Sequence, residues 1–202
     1  HGLVTLRMVE DAHPARQACL IEISRICSIR IMRMSDGVEW GVHCATILGA
    51  LPEGVALSAA RLAEYHGVPA PYLAKHLQAL TRGGVFVAVP GPRGGYRLAR
   101  PAAEVTVLDI VEAVDGRQPA FRCTEIRQRG PAAVAASEYR LPCGIHRAMT
   151  RADEAWRAEL RATTVADLLV GVLADASPEA LTKGVRWMED VTTQSAQRKE
   201  AP

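Results

Sequence analysis

The residues best equipped for chemistry in this chain are Cys123, Cys143, Glu39, His43 and His146. Cys123 and Cys143 bracket a stretch broken by Gly130, Pro131 and Pro142. His146 follows Cys143 in a C-x-x-H spacing, which suits a metal ion. Glu39 and His43 stand four residues apart, so on a helix they share one face. Two thiolates with an imidazole and a carboxylate could hold zinc, and two thiols alone could act as a dithiol switch. Plainer readings stand beside these: loop thiols with no metal, a solvated Glu39 and a packed His43. Cys44 falls off the Glu39/His43 stripe and reads as packing. Cys19 and Cys27 carry no ligand pattern.

The chain has 202 residues, enough for one domain and an accessory element. Its 5 cysteines are an odd number and too sparse for a disulfide-stapled secreted scaffold, which points to a reducing cytoplasm. No apolar run is long enough to span a bilayer, and no basic-then-apolar signal opens the chain, so no membrane partner is expected. Enzyme signatures such as G-x-S-x-G, a P-loop or H-E-x-x-H are absent from the sequence. The glycines beside Arg93 precede a strand, not a helix, so they are poorly placed to cradle a nucleotide phosphate.

The elements that must position these residues centre on Ser58–Arg100. Ser58 suits an N-cap, Gly67 ends a short helix, and Pro71 suits the first turn of the next. Leu73, Leu77 and Leu80 give that second helix a core face, leaving Tyr72, Lys75, His76 and Gln78 for its surface. Gly83-Gly84 stops it. Val85–Val89, a Pro/Gly turn carrying Arg93, and Tyr96–Leu98 then read as a hairpin. Two short helices and a hairpin make a winged helix-turn-helix, whose second helix fits a DNA major groove. The charge agrees: this stretch carries +5 from six Lys/Arg and one Glu, whereas the whole chain is +2. Ser58, Arg61, Tyr72, Lys75, His76, Gln78 and Arg93 are the expected DNA contacts. A winged helix used for protein contact is the alternative.

Upstream, Ser35 to about Leu51 reads as a helix bearing Glu39 and His43. Downstream, Val105–Val114 reads as a helix, and Gln118–Pro142 as an irregular loop of a length that is usually functional or disordered. Ile145, Met149, Ala152, Trp156 and Leu160 then recur at steps of four and three. That is the narrow apolar seam of a dimerisation helix. Thr164 caps a further helix through Leu173, and Pro178–Met188 reads as a last one. The expected fold is mainly α with a small β-hairpin wing: a winged helix-turn-helix plus a long dimerisation helix.

Five motifs occur in order: M-R-M-S-D-G-V-E-W-G-V-H-C, P-Y-L-A-K-H-L-Q-A-L, G-P-R-G-G-Y-R-L-A-R-P, V-L-D-I-V-E-A-V-D-G and F-R-C-T-E-I-R-Q-R-G-P. Together they resemble the Rrf2 family of bacterial winged-helix regulators, over about Met32 to Leu169, and most of all its redox-regulator branch. The resemblance implies a homodimer on operator DNA that senses redox state through a 2Fe–2S cluster. Family members commonly carry three cysteines in the loop; here there are two, with residues such as Tyr139 where a further one would fall. Two irons need four terminal ligands, so others must complete the set. By the resemblance, Cys123 and Cys143 of one chain and Glu39 and His43 of the other hold the cluster, with His146 a rival to His43. The resulting division is 1–31 as a poorly packed extension, 32–116 as the DNA-binding domain and 117–143 as the cluster loop. Residues 144–190 are the dimerisation and C-terminal helices, and 191–202 a tail. A winged-helix regulator using a thiol switch or zinc, without a cluster, is the alternative function.

Overall fold

The computed structural model of the chain describes residues 34–91 and 94–200, with 194–200 by backbone alone. The expectations placed on residues 1–31, on Cys19 and Cys27, and on Arg93 lie outside the described residues.

Helix α1 spans Asp36–Ala50 and buries Val38, Gly41, Cys44, Ala45 and Leu48. Ser35 precedes it but does not cap it. Its hydroxyl donates instead to Asp115 Oδ1 at 2.6 Å, and its N–H to Asp115 Oδ2 at 3.1 Å. Helix α2 is Ala59–His66, where the Ser58 hydroxyl accepts from the Arg61 N–H and Gly67 ends the helix in the left-handed region at φ 64°. That conformation costs glycine nothing. Helix α3 is Ala70–Arg82, with Pro71 in its first turn, where the missing N–H has no partner to lose. Its Leu73, Leu77 and Leu80 are wholly buried, each worth about 2 kcal/mol of apolar transfer.

Strands β1 (Phe86–Val89) and β2 (Gly95–Leu98) pair antiparallel, Phe86 opposite Leu98 and Val89 opposite Gly95. Leu57 adds a bridge to Tyr96, with N–H···O bonds both ways at 3.0 and 2.7 Å. The wing is thus fastened to the chain entering α2. Helix α4 is Val107–Asp115, and a 3-10 turn, Ala102–Glu104, leads into it.

The loop after α4 holds two further 3-10 turns, Ile126–Gln128 and Ala136–Glu138. Helix α5, Gly144–Ala162, follows without a single buried residue. Helix α6 is Val165–Asp175 and α7 is Pro178–Glu200. Helices α4 and α6 both open with a complete capping box, Thr106/Asp109 and Thr164/Asp167, and Thr106 bridges Thr164. The last helix runs past the expected tail boundary because no glycine or proline interrupts it after Gly184. Its Val191 is buried, and the Trp187 ring sits 4.6 Å from that of Tyr65 on α2. No helix among the described residues is long and apolar enough to cross a membrane.

Candidate functional site

Helix α3 lies across the first helix of the pair, α2, and against α1 and α4. Tyr72, Lys75 and Gln78 are exposed on it. His76 is not: it is half-buried, 5.8 Å from the Trp40 ring and 5.4 Å from the Tyr72 ring. Its ring fills the space where a Cβ on Gly37 would stand, and its Nε2 is buried with no hydrogen-bond partner. His76 therefore packs α3 onto α1 and does not share the exposed face expected for it. The Ser58 hydroxyl is committed to its cap, while Arg61 pairs with Glu64 at 2.8 Å. Exposed Arg97 on β2 adds a basic side chain to the wing.

Glu125 links Cys123 to Arg127. The Cys123 thiol donates to Glu125 Oε1 at 3.6 Å, and the Glu125 N–H donates to Cys123 Sγ at 3.4 Å. The Cys143 backbone N–H contributes only slightly to the electrostatics of the same carboxylate. Arg127 grips it at 2.8 and 3.2 Å, which is the main reason that Glu125 sits below the usual carboxylate range. The Arg127 guanidinium lies 4.1 Å from the Tyr139 ring centre, and the Tyr139 hydroxyl donates to the Arg127 carbonyl at 3.1 Å.

Cys143 is the N-cap of α5, and its thiol is held below the ordinary thiol range. The first cause is the backbone N–H of His146, aided by the Ile145 N–H and the charge of Arg127 and opposed by burial and Glu125. Cys44, wholly buried, is pushed up to about 12 by burial alone, so it is packing, as expected. His146 is half-buried, with Nδ1 buried and without a partner, and its ring lies 6.4 Å from Phe121.

Glu39 and His43 are both exposed on α1, one turn apart. The His43 ring lies 5.6 Å from that of His66, whose pKa is lowered by burial and then by the charge of His43. Among the described residues of one chain, no three His, Cys, Asp or Glu side chains converge as a metal site. Cys123 and Cys143 thus both lie near the Glu125/Arg127 pair, and Glu39 and His43 do not join them as a metal site within one chain.

On α5, Ile145 and Ala152 are exposed, and Met149, Trp156 and Leu160 are half-buried. Flanking this seam, Arg157 bonds Glu112 at 2.9 Å and Asp153 at 2.8 Å and donates to the carbonyls of Arg117 and Gln118. Sequence reasoning missed Glu125, Arg127 and Arg157. Only the i,i+4 spacing of Asp153 and Arg157 carried a signal.

A winged helix-turn-helix followed by a thiol-bearing loop and a long helix has known relatives. The chain is 26% identical over 146 residues to YwgB of Bacillus subtilis, an HTH-type transcriptional regulator by name, covering 71% of this chain and 90% of that protein. The structure of CymR (YrzC), the global cysteine regulator of B. subtilis, superposes with a TM-score of 0.55 at 19% identity, covering 69% of this chain and 98% of that one. T. potens IscR gives a TM-score of 0.53 at 21% identity, covering 72% and 92%. At such identities the two structures establish the shared fold. The family model described as Rrf2, iron-dependent transcriptional regulator, matches residues 34–171, from the start of α1 into α6, and the chain belongs to that family.

Proposed function

We propose that this Rrf2-family regulator is a cytoplasmic homodimer that binds operator DNA under the control of a redox-responsive 2Fe–2S cluster. The observation that carries the sensing part is that Cys123, bonded to Glu125, and Cys143, at the start of α5, both feel the Glu125/Arg127 pair although they come from the two ends of one loop. Cys143 is already biased toward thiolate, the form that binds metal. Two thiolates leave a cluster two ligands short. Glu39 and His43 are exposed and one turn apart, so a second copy can reach them, and they fit as the hard pair. His146, with its orphaned Nδ1 one turn beyond Cys143, is the rival ligand. When bound, such a cluster supplies a one-electron change, and imidazole ligation raises its potential and ties it to pH.

The chain's own packing supports a link to DNA. Helix α1, which bears Glu39 and His43, touches the recognition helix α3 through Trp40 and His76. A displacement of α1 is therefore felt at α3, and rigidly spaced half-sites respond to it. DNA recognition itself rests on the exposed Tyr72, Lys75 and Gln78, with Arg93, which lies between the two wing strands in sequence.

A thiol switch or zinc site without a cluster is the second reading, favoured by the same lowered Cys143 thiol. Anaerobic purification separates the two. Visible colour with iron and acid-labile sulfide, lost in both Cys123→Ser and Cys143→Ser, is expected; colourless, zinc-loaded protein selects the second reading.

A further inference from the structure

Helix α2 has 8 residues and buries only Leu62 and Ala63. A helix so short is marginal by itself, so packing from its neighbours must hold it. Its last turn, Tyr65 and His66, meets rings from two other helices. On one side the His43 ring of α1 lies 5.6 Å from that of His66. On the other, the Trp187 ring of α7 lies 4.6 Å from that of Tyr65 and tilted by 58°. The Tyr65 hydroxyl also lies beside Gly184, earlier on α7. Trp187 packs against the hydrophobic core, and Val191, one turn further on, is buried in it. Helix α7 is therefore docked onto α2, although it lies beyond residues 34–171, the span shared with the family.

We propose that Trp187 is a positioning residue for DNA recognition: through the Tyr65 ring, α7 fixes the end of α2 from which α3 departs. The inference rests on the reading that α3 is the helix that enters the groove. Only Gly67, Val68 and Pro69 separate α2 from α3. The Val68 N–H donates back to the Ala63 carbonyl at 3.0 Å, and the Pro69 carbonyl accepts from Tyr72 and Leu73 at 3.1 and 3.0 Å. A turn so short and so bonded carries a displacement at Tyr65 to the exposed Tyr72 and Lys75. Without the Trp187 ring, the end of α2 is less fixed in the free protein, and the cost of ordering it falls on DNA binding. Sequence-independent binding is carried by cations on phosphate and does not need α3 seated in the groove.

The test uses the full-length protein and two duplexes, one selected by wild type from a random pool and one of the same length with that sequence scrambled. Mobility shifts are run at one salt concentration, well below the melting temperature of each variant. Trp187→Ala should bind the selected duplex about fivefold more weakly, the size of one aromatic pair, and the scrambled duplex within about twofold of wild type. Trp187→Phe keeps a ring for Tyr65 and should recover most of the affinity. Trp187→Leu keeps apolar contact without a ring; it should behave like Trp187→Ala and is read in its place if the alanine variant does not fold. Wild-type affinity for the selected duplex in the ring-less variant overturns the inference. So does an equal loss on both duplexes that tracks a lower melting temperature and is not recovered by Phe, which makes Trp187 structural only. Failure of wild type to select any duplex would instead overturn the DNA reading on which the inference rests.

Discussion

Arg157 of α5 and Glu112 of α4 meet at 2.9 Å with only 16% and 20% of their side chains exposed. The same guanidinium holds Asp153 at 2.8 Å and reaches the carbonyls of Arg117 and Gln118. One cation therefore ties the long helix, the end of the DNA-binding domain and the first residues of the thiol loop together. Arg157→Met should leave Asp153 without its cation and destabilise the fold by about 2 kcal/mol, a buried-pair cost reduced for partial exposure. Urea unfolding reads this directly, and a change under about 0.5 kcal/mol would contradict the clasp.

Helix α3 separates binding from packing. Lys75→Ala should weaken operator binding and lower its salt dependence by about one counterion, with an unchanged melting temperature. Arg93→Ala should weaken binding too. His76→Ala should do the reverse of Lys75→Ala. It removes a ring packed on Gly37 and Trp40 and should cost about 1–2 kcal/mol of stability. Mobility shifts beside thermal melts decide; if His76→Ala melts like wild type, its inward placement is wrong.

The paired capping boxes make stability depend on acid. The Thr164 hydroxyl, donating at 2.6 Å, is the main reason that Asp167 lies below its ordinary 3.8. For Asp109, burial pushes upward, but Thr106 and Arg100 bring the carboxyl below 3.8. The unfolded chain then takes up these protons first as pH falls. Their contribution is complete above the ordinary value and is lost as pH drops through the lower folded value. The two carboxyls' contribution should hold steady from about pH 7 to 5, where a decline belongs to the lowered His66, and fall away below about pH 4, and Asp167→Asn should flatten that last decline. Equal slopes for wild type and Asp167→Asn in that range would refute the assignment.

The seam on α5 should pack against a second copy. Met149→Asp with Trp156→Asp would place charges in that contact, and sedimentation should then report monomer. An unchanged dimer would assign the seam to its own chain.

Where local signals set the structure, the sequence was legible. Ser58, Gly67, Pro71 and the Leu73/Leu77/Leu80 stripe each act within one or two turns, and α2 and α3 formed as they require. Ser35 stands at the start of α1 as read, but its hydroxyl goes to Asp115, a partner 80 residues away that no local pattern reveals. Spacing placed His76 outside; the missing side chain of Gly37 lets the ring in. Glu125 was illegible for a related reason, since its left-handed backbone and its grip on Cys123 and Arg127 exist only once the loop has folded. Glu39 and His43 stand apart from the thiols in one chain, so their role was legible only by resemblance.

The central claim is that the state of the site built on Cys123 and Cys143 sets DNA affinity, and allostery of this kind requires states that bind DNA differently. The direct test measures operator affinity of the oxidised, reduced and cluster-free protein side by side at one salt concentration. Affinities that differ between the states, with the difference abolished in Cys143→Ser, are the predicted result. Equal affinity in all three states would contradict the claim, even for a protein that carries the cluster.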